Sequence, residues 1–254
     1  MERKRALVTG SSKGIGRGIA IVLAQNGYDV GINYSSSKQE AQEVVKACEG
    51  FGAKTVLIQA DVSKKSEIDR MFEEYKAAFK TLDLMVNNAG ITKFKPFLEV
   101  DEALWDELTN LNYKGAYFCA QGAAKIMVAN KTKGVIINIT SVHATINFPT
   151  HNIYGPNKAA LKKLTAHQAM ELAKYGIRVN AIAPGCICNS PAIRDNDRQR
   201  LMASRVPLRR VGECEEIAEA VVYLASDKAS YITGIHFDIE GGMILTPMID
   251  FHTW

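Results

Sequence analysis

Short apolar runs alternate from end to end of the chain with longer stretches whose apolar positions recur every three to four residues. The runs Ala6–Thr9, Asp29–Asn33, Thr55–Ala60, Leu84–Asn87, Val135–Thr140, Arg178–Ala183 and His236–Ile239 have the length and the Val/Ile/Leu content of strands. Helical patterns fall between them at about 15–26, 38–50, 64–79, 101–129, 152–175 and 214–225. Strands that are apolar almost throughout must be covered on both faces, which predicts one seven-stranded parallel sheet with helices on each side. Right-handed crossovers then give a doubly wound α/β fold that receives ligands at the carboxyl ends of its strands. The helices at 101–129 and 152–175 carry more apolar surface than one sheet face needs, so self-association through them is expected.

With 254 residues, 47% of them hydrophobic, the chain can bury one large core. No linker, charge block or internal repeat divides it, so 1–254 reads as one domain. The net charge of +4 is modest and the basic residues are scattered, which gives nucleic-acid binding no support. Arg3-Lys4-Arg5 reads as the solvated lead into the first strand rather than a localisation signal. No apolar run approaches the roughly 20 residues of a membrane helix, and Leu7-Val8 meets Thr9-Gly10 before a secretory segment develops. The five cysteines, at 48, 119, 186, 188 and 214, form no disulfide framework. Cys186-Ile187-Cys188 lacks the second pair or histidine cluster of a metal site, so no metal is expected. Reduced thiols point to a cytoplasmic protein.

Thr9-Gly10-Ser11-Ser12-Lys13-Gly14-Ile15-Gly16 joins the first strand to the first helix. Glycines there permit a tight turn and let backbone N–H groups approach a pyrophosphate at the helix N-terminus. The spacing is G-x3-G-x-G rather than G-x-G-x-x-G, so the position of the loop carries the reading as much as the glycines do. The second strand ends Asn33-Tyr34-Ser35-Ser36-Ser37-Lys38, with no acid before Glu40. An NAD site usually places a carboxylate there for the ribose 2′-hydroxyl. Hydroxyls and nearby cations, Lys13 among them, suit a 2′-phosphate instead, so NADP is favoured over NAD.

Ser141 precedes Tyr154 by thirteen residues, and Lys158 follows four later. A phenol and an ammonium at that spacing share one helix face, where the cation favours the phenolate. Tyr34 and Lys38 repeat the spacing but lack the upstream serine and sit at a strand end.

With Asp61-Val62, Asn87-Asn88-Ala89-Gly90, Asn112 and Pro184-Gly185 added in the same order, the chain resembles the short-chain dehydrogenase/reductase family over essentially its whole length. That resemblance implies a Rossmann fold, hydride exchange between an alcohol or carbonyl and a nicotinamide dinucleotide, and usually a homotetramer; a homodimer remains open. It implies that Tyr154 is general acid and base, Ser141 polarises the reacting oxygen, Lys158 also holds the nicotinamide ribose, and Asn112 distorts its long helix locally and links Lys158 to solvent through a water. Asp61 would accept from the adenine amino group, with Val62 giving backbone contacts. Asn88, Ala89 and Gly90 would bring backbone to the adenosine ribose, and Pro184, Gly185 and Ile187 would pass beneath the nicotinamide. Asn87 reads equally as a buried structural amide. Asn189 stands where the family often has Thr, and Asn157 where Ser is frequent. Pro156 must lie in the first turn of its helix, where a missing N–H is tolerated.

The segment between Ser141 and Tyr154 should line the substrate pocket, and His143, Asn147, His151 and Asn152 make it polar. A hydroxylated substrate such as a sugar is therefore expected. Ser141-Val142-His143, Asn33-Tyr34 and Gly241-Gly242-Met243 look like the glucose 1-dehydrogenase branch of the family. The chain is also similar to 3-oxoacyl-carrier-protein reductases. Arg194, Arg198, Arg200, Arg205, Arg209 and Arg210 would then face an acidic carrier, or else lie on a solvated lid at about 186–212. A general ketone or steroid reductase is a further alternative, and a nucleotide-binding protein without catalysis is the reading from another class.

Overall fold

The computed structural model describes residues 3–188 and 197–245. Seven parallel strands form the main sheet: β1 (Lys4–Val8), β2 (Tyr28–Tyr34), β3 (Thr55–Gln59), β4 (Leu84–Asn87), β5 (Val135–Ile139), β6 (Arg178–Pro184) and, last in the chain, β9 (His236–Ile239). Their spatial order is β3-β2-β1-β4-β5-β6-β9. The chain winds outward from β1 to β3, then returns to the other side of β1 as β4. The switch point therefore opens between the carboxyl ends of β1 and β4.

Both sheet faces are buried, as the continuous apolar runs require. Ala6 and Val8 of β1, Leu84 and Val86 of β4, and Val135, Ile137 and Ile139 of β5 join the core on one face. That face is covered by α1 (Gly14–Gln25), α2 (Lys38–Glu49) and α8 (Cys214–Ala225). Leu7, Met85 and Ile136 point the other way, to α3 (Lys65–Ala78), α5 (Ala116–Ala129) and α6 (Tyr154–Leu172). This alternation along each strand gives two cores about a single sheet.

The helix expected over 101–129 is interrupted. α4 (Glu102–Thr109) and α5 are separated by a π-helical turn, Asn110–Gly115. Two short elements went unforeseen: α7 (Asp197–Ser204), and a ladder pairing β7 (Ile187–Cys188) with β8 (Gly212–Glu213). The segment expected as a lid, about 186–212, contains β7, α7 and the start of β8, and lies partly outside the described residues. Among the described residues no helix is long and apolar enough to cross a membrane.

Candidate active site

The switch point is built by a handful of side chains braced against backbone. Thr9, just past β1, accepts from the backbone N–H groups of Asn88 and Ala89 at its hydroxyl (3.0 and 3.1 Å), tying the ends of β1 and β4 together. The Asn88 amide donates to the carbonyls of Thr9 and Gly10 (2.9 and 3.1 Å). Asn33 takes the Gly10 N–H on its Oδ1 (3.1 Å) and donates to the Ile58 and Ala60 carbonyls (3.4 and 3.0 Å). Asn33 lines the cleft as predicted, but its carboxamide is already engaged in holding the glycine loop. The bracing role of Thr9 was missed, because a hydroxyl that serves neighbouring backbone leaves no spacing signal.

Gly10 and Gly14 adopt positive φ (61° and 56°), turning the chain tightly into α1. A Cβ on Gly16 would collide with the Asn88 amide and the Gly10 carbonyl. No side chain caps the N-terminus of α1. The loop therefore leaves the uncapped start of a helix facing a cleft of about 760 Å³. These residues fit the pyrophosphate of a dinucleotide.

Other residues singled out from the sequence line the rest of the cleft. Its wall includes Ser12, Lys13, Ile15, Tyr34, Ser35 and Ser36 at one end. Asp61, Val62, Ala89, Gly90, Pro184, Gly185 and Ile187 line its middle and far side. Among the described lining residues Asp61 is the sole carboxylate. Hydrogen bonds from Ser63 and the charge of Lys64 hold its pKa below the ordinary value, against the opposing effect of burial. Ile91, Thr92, Leu111, Ile139 and Thr140 also line the cleft and were not foreseen as site residues. Asn189 lies outside the described residues.

At the floor, Ser141 follows β5 and Tyr154 opens α6, with Pro156 in its first turn. The Ser141 hydroxyl is hydrogen-bonded to His143 and, near the Tyr154 phenol, favours its ionised form. Lys158 is buried, donates to the Ile139 carbonyl (2.9 Å) and lies 5.5 Å from the centre of the Tyr154 ring. Burial drives the two pKa values apart: it raises the phenol, with Ser141 opposing, and pushes the amine down to about 8. In the protein alone, burial thus outweighs the expected priming of the phenol by the lysine. A dinucleotide cation would add to phenolate stabilisation where the amine by itself does not prevail.

Asn112 explains the π turn. Its Nδ2 donates to the Leu108 and Ile91 carbonyls (2.9 and 3.0 Å), and its Oδ1 accepts the Ile91 N–H (3.2 Å). A Cβ on Gly90 would lie 2.7 Å from Asn112 Oδ1 and 3.4 Å from Lys158 Nζ. Only a glycine lets the strand-end loop pass between those two groups. Asn157 donates to Thr109 (3.3 Å), fastening α6 to α4. Asn87 is a structural amide, donating to Asn138 Oδ1 (2.8 Å), and Asn138 in turn donates to Thr165 and Gln168 (2.9 and 3.1 Å).

Of the predicted substrate residues, His143 lines the cleft and Asn147 is exposed outside its lining. His151 packs 4.5 Å from the His143 ring without lining the cleft. Asn152 donates to the Lys95 carbonyl (2.9 Å), a local brace. In the arginine group, Arg210 is committed to Glu216 by two bonds of 2.7 Å, and Arg209 donates to the Ser204 carbonyl (3.1 Å). Arg200 and Arg205 are exposed, while Arg194 and the side chain of Arg198 lie outside the described residues.

A family model described as enoyl-(acyl carrier protein) reductase matches residues 10–244. The chain is 42% identical over 244 residues to a 3-oxoacyl-acyl-carrier-protein reductase of Staphylococcus epidermidis, covering 95% of this chain and 99% of the relative. It is 37% identical over 246 residues to an L-rhamnose 1-dehydrogenase (NAD(P)(+)) of a Sphingomonas strain, covering 96% and 97%. The crystal structure of an acetoin dehydrogenase from Enterobacter cloacae superposes with a TM-score of 0.91 at 36% identity, covering 98% and 99%. The chain belongs to the short-chain dehydrogenase/reductase family and is an oxidoreductase acting on CH–OH groups through a nicotinamide cofactor.

Proposed function

We propose that this short-chain dehydrogenase/reductase interconverts an alcohol and a carbonyl on a small polar, hydroxylated substrate such as a sugar or hydroxyketone, with NADP(H) as cofactor. The substrate class is supported by the likeness to an L-rhamnose 1-dehydrogenase and to an acetoin dehydrogenase. Hydroxyls of Thr92 and Ser141 on the cleft wall suit a hydroxylated partner over a bare hydrocarbon. NADP(H) is supported by exposed Ser35, Ser36 and Lys13, where a 2′-phosphate would meet hydroxyls and a cation.

Gly10, Gly14, Ile15 and Gly16 hold the pyrophosphate, Asp61 and Val62 the adenine, and Asn88, Ala89 and Gly90 the adenosine ribose. Pro184, Gly185 and Ile187 hold the nicotinamide end. When bound, the nicotinamide supplies or accepts the hydride. Tyr154 exchanges the proton at the substrate oxygen, Ser141 donates to the same oxygen, and Lys158 with Asn112 carries the proton onward. The buried thiols of Cys48 and Cys119, outside any disulfide among the described residues, support a cytoplasmic home. Exposed Trp105, Tyr117, Val128 and Met170 on α4, α5 and α6 support a homotetramer or homodimer, which light scattering reads directly.

A second reading, 3-oxoacyl-carrier-protein reductase, is favoured by the 42% identity to such an enzyme. The pairing of Arg210 with Glu216 takes one arginine away from a carrier surface. The deciding experiment follows absorbance with NADP(H) and NAD(H) against L-rhamnose, glucose, 2,3-butanedione, a steroid ketone and an acetoacetyl thioester. Turnover of the sugars or the dione with NADP(H) is the expected result. Exclusive turnover of the thioester establishes the second reading, and tight dinucleotide binding with no turnover overturns both.

A further inference from the structure

Ser141 is more crowded than a serine that merely faces a substrate. The backbone N–H of His143 donates to its Oγ at 3.3 Å, and His143 Nδ1 lies 3.0 Å from the same atom. The Tyr154 phenol stands nearby, and Ser141 favours its ionised form. A hydroxyl has one hydrogen and two lone pairs, so the direction of each bond matters. The backbone N–H takes one lone pair. Were Nδ1 a bare acceptor, it would take the only hydrogen, and Ser141 would have nothing to donate to a reacting oxygen.

The other ring nitrogen decides between the two tautomers. His143 Nε2 is buried and has no hydrogen-bond partner among the described residues. A buried N–H without an acceptor is rarer and costlier than a bare acceptor, so the proton belongs on Nδ1. The ring cannot swing away to relieve this. It packs against Phe148 at 4.4 Å and His151 at 4.5 Å, and stands edge-on to Tyr154 at 5.3 Å. His151 is itself pinned, its Nδ1 2.8 Å from the Pro149 carbonyl.

The geometry points to His143 as a positioning residue: its Nδ1–H and its backbone N–H fill both lone pairs of Ser141 Oγ, forcing the single serine hydrogen toward Tyr154 and the substrate oxygen. This inference rests on the pairing of Ser141 and Tyr154 as the polarising and proton-transfer groups. Burial keeps the imidazole neutral by lowering its pKa to about 4, so the arrangement persists at neutral pH. Any substrate hydroxyl that reaches this wall meets a ring with no donor to spare, because its one N–H is spent on Ser141.

The test has two arms, one independent of substrate. In full-length protein labelled with 15N-histidine, long-range proton–nitrogen correlation spectra should assign an N–H to His143 Nδ1 and a bare nitrogen to Nε2. Ser141→Ala should weaken that preference. The opposite tautomer overturns the proposal, whatever the enzyme turns over. In the second arm, with whichever panel compound is turned over, His143→Leu should lower kcat about 100-fold, the scale of one misdirected preorganised donor. NADPH affinity should stay unchanged. His143→Asn, whose amide N–H can replace Nδ1–H, should recover most of the loss, and His143→Leu should cost little more in a Ser141→Ala background. Equal losses in both backgrounds, or no rescue by Asn, overturn the proposal. Absence of turnover on every compound counts against the proposed function alone, and the spectra still decide this one.

Discussion

The Lys158 ammonium lies 5.5 Å from the centroid of the Tyr154 ring, one turn further along α6, and donates to the Ile139 carbonyl rather than to the phenol. Lysine and tyrosine thus share a helix face without sharing a hydrogen bond. The acid–base function falls on one phenolic oxygen, whose ionised form Ser141 favours against the effect of burial.

Removing that oxygen should stop chemistry and little else. Tyr154→Phe is expected to lower kcat by about 1000-fold, within the range of general acid–base contributions, because the ring and its packing remain. NADPH binding, read from nicotinamide fluorescence, should stay within a few-fold of wild type. Near-normal turnover in this variant would remove Tyr154 from the proton-transfer role.

Lys158 links stability to pH with a definite sign. Its folded pKa is about 8, against an ordinary value of 10.5. Between those values the unfolded chain holds a proton that the folded chain has released, so stability rises with pH across this window. Below about 8 the buried charge is a standing cost. In urea unfolding without added dinucleotide, the stability of wild type relative to Lys158→Met should therefore improve from pH 8 to 10.5. A constant difference would mean that the amine is not desolvated.

Sequence reasoning reached the sheet and the cleft because both are written locally. Val135–Ile139 is apolar at all but one position, and Gly10, Gly14 and Gly16 sit between a strand and a helix. The interruption of the helix at Asn110–Gly115 was signalled by the family resemblance at Asn112 and not by periodicity, since its cause is tertiary: Asn112 reaches the backbone of Ile91, far away in sequence. The β7–β8 ladder has two residues per strand, too few for any periodicity. α7, Asp-Arg-Gln-Arg-Leu-Met-Ala-Ser, is mostly polar and offers no apolar stripe. Asn33 was recognised as lining the cleft, but residue type alone cannot show that its amide is already taken.

The end of β2 supplies a cofactor test. Ser35→Asp places a carboxylate where a 2′-phosphate would sit and where a ribose 2′-hydroxyl would be welcomed. The ratio of kcat/KM for NADPH to that for NADH should fall at least about tenfold, equivalent to roughly 1.4 kcal/mol. An unchanged ratio would show that this end of the cleft does not read the phosphate.

The buried amide chain Asn87–Asn138–Thr165 predicts a stability effect remote from catalysis. Asn138→Ala leaves the Asn87 Nδ2 without its acceptor and strips Thr165 and Gln168 of a donor. A loss of about 1–3 kcal/mol is expected, read as a lower urea midpoint with an unchanged slope. A loss below a few tenths of a kcal/mol would mean that these groups find other partners.

The π turn also gives the middle of this protein one residue more than a plain α-helix would carry. Removing one residue between Asn110 and Gly115 would let the wide i→i+5 turn close to i→i+4 and leave α5 near its present phase, with Cys119, Ala120 and Ala123 still sealed against the sheet. What would go is Asn112 from its post beside Gly90. A wide turn that looks like a local flaw thus carries a side chain that the active centre uses and the interior does not need.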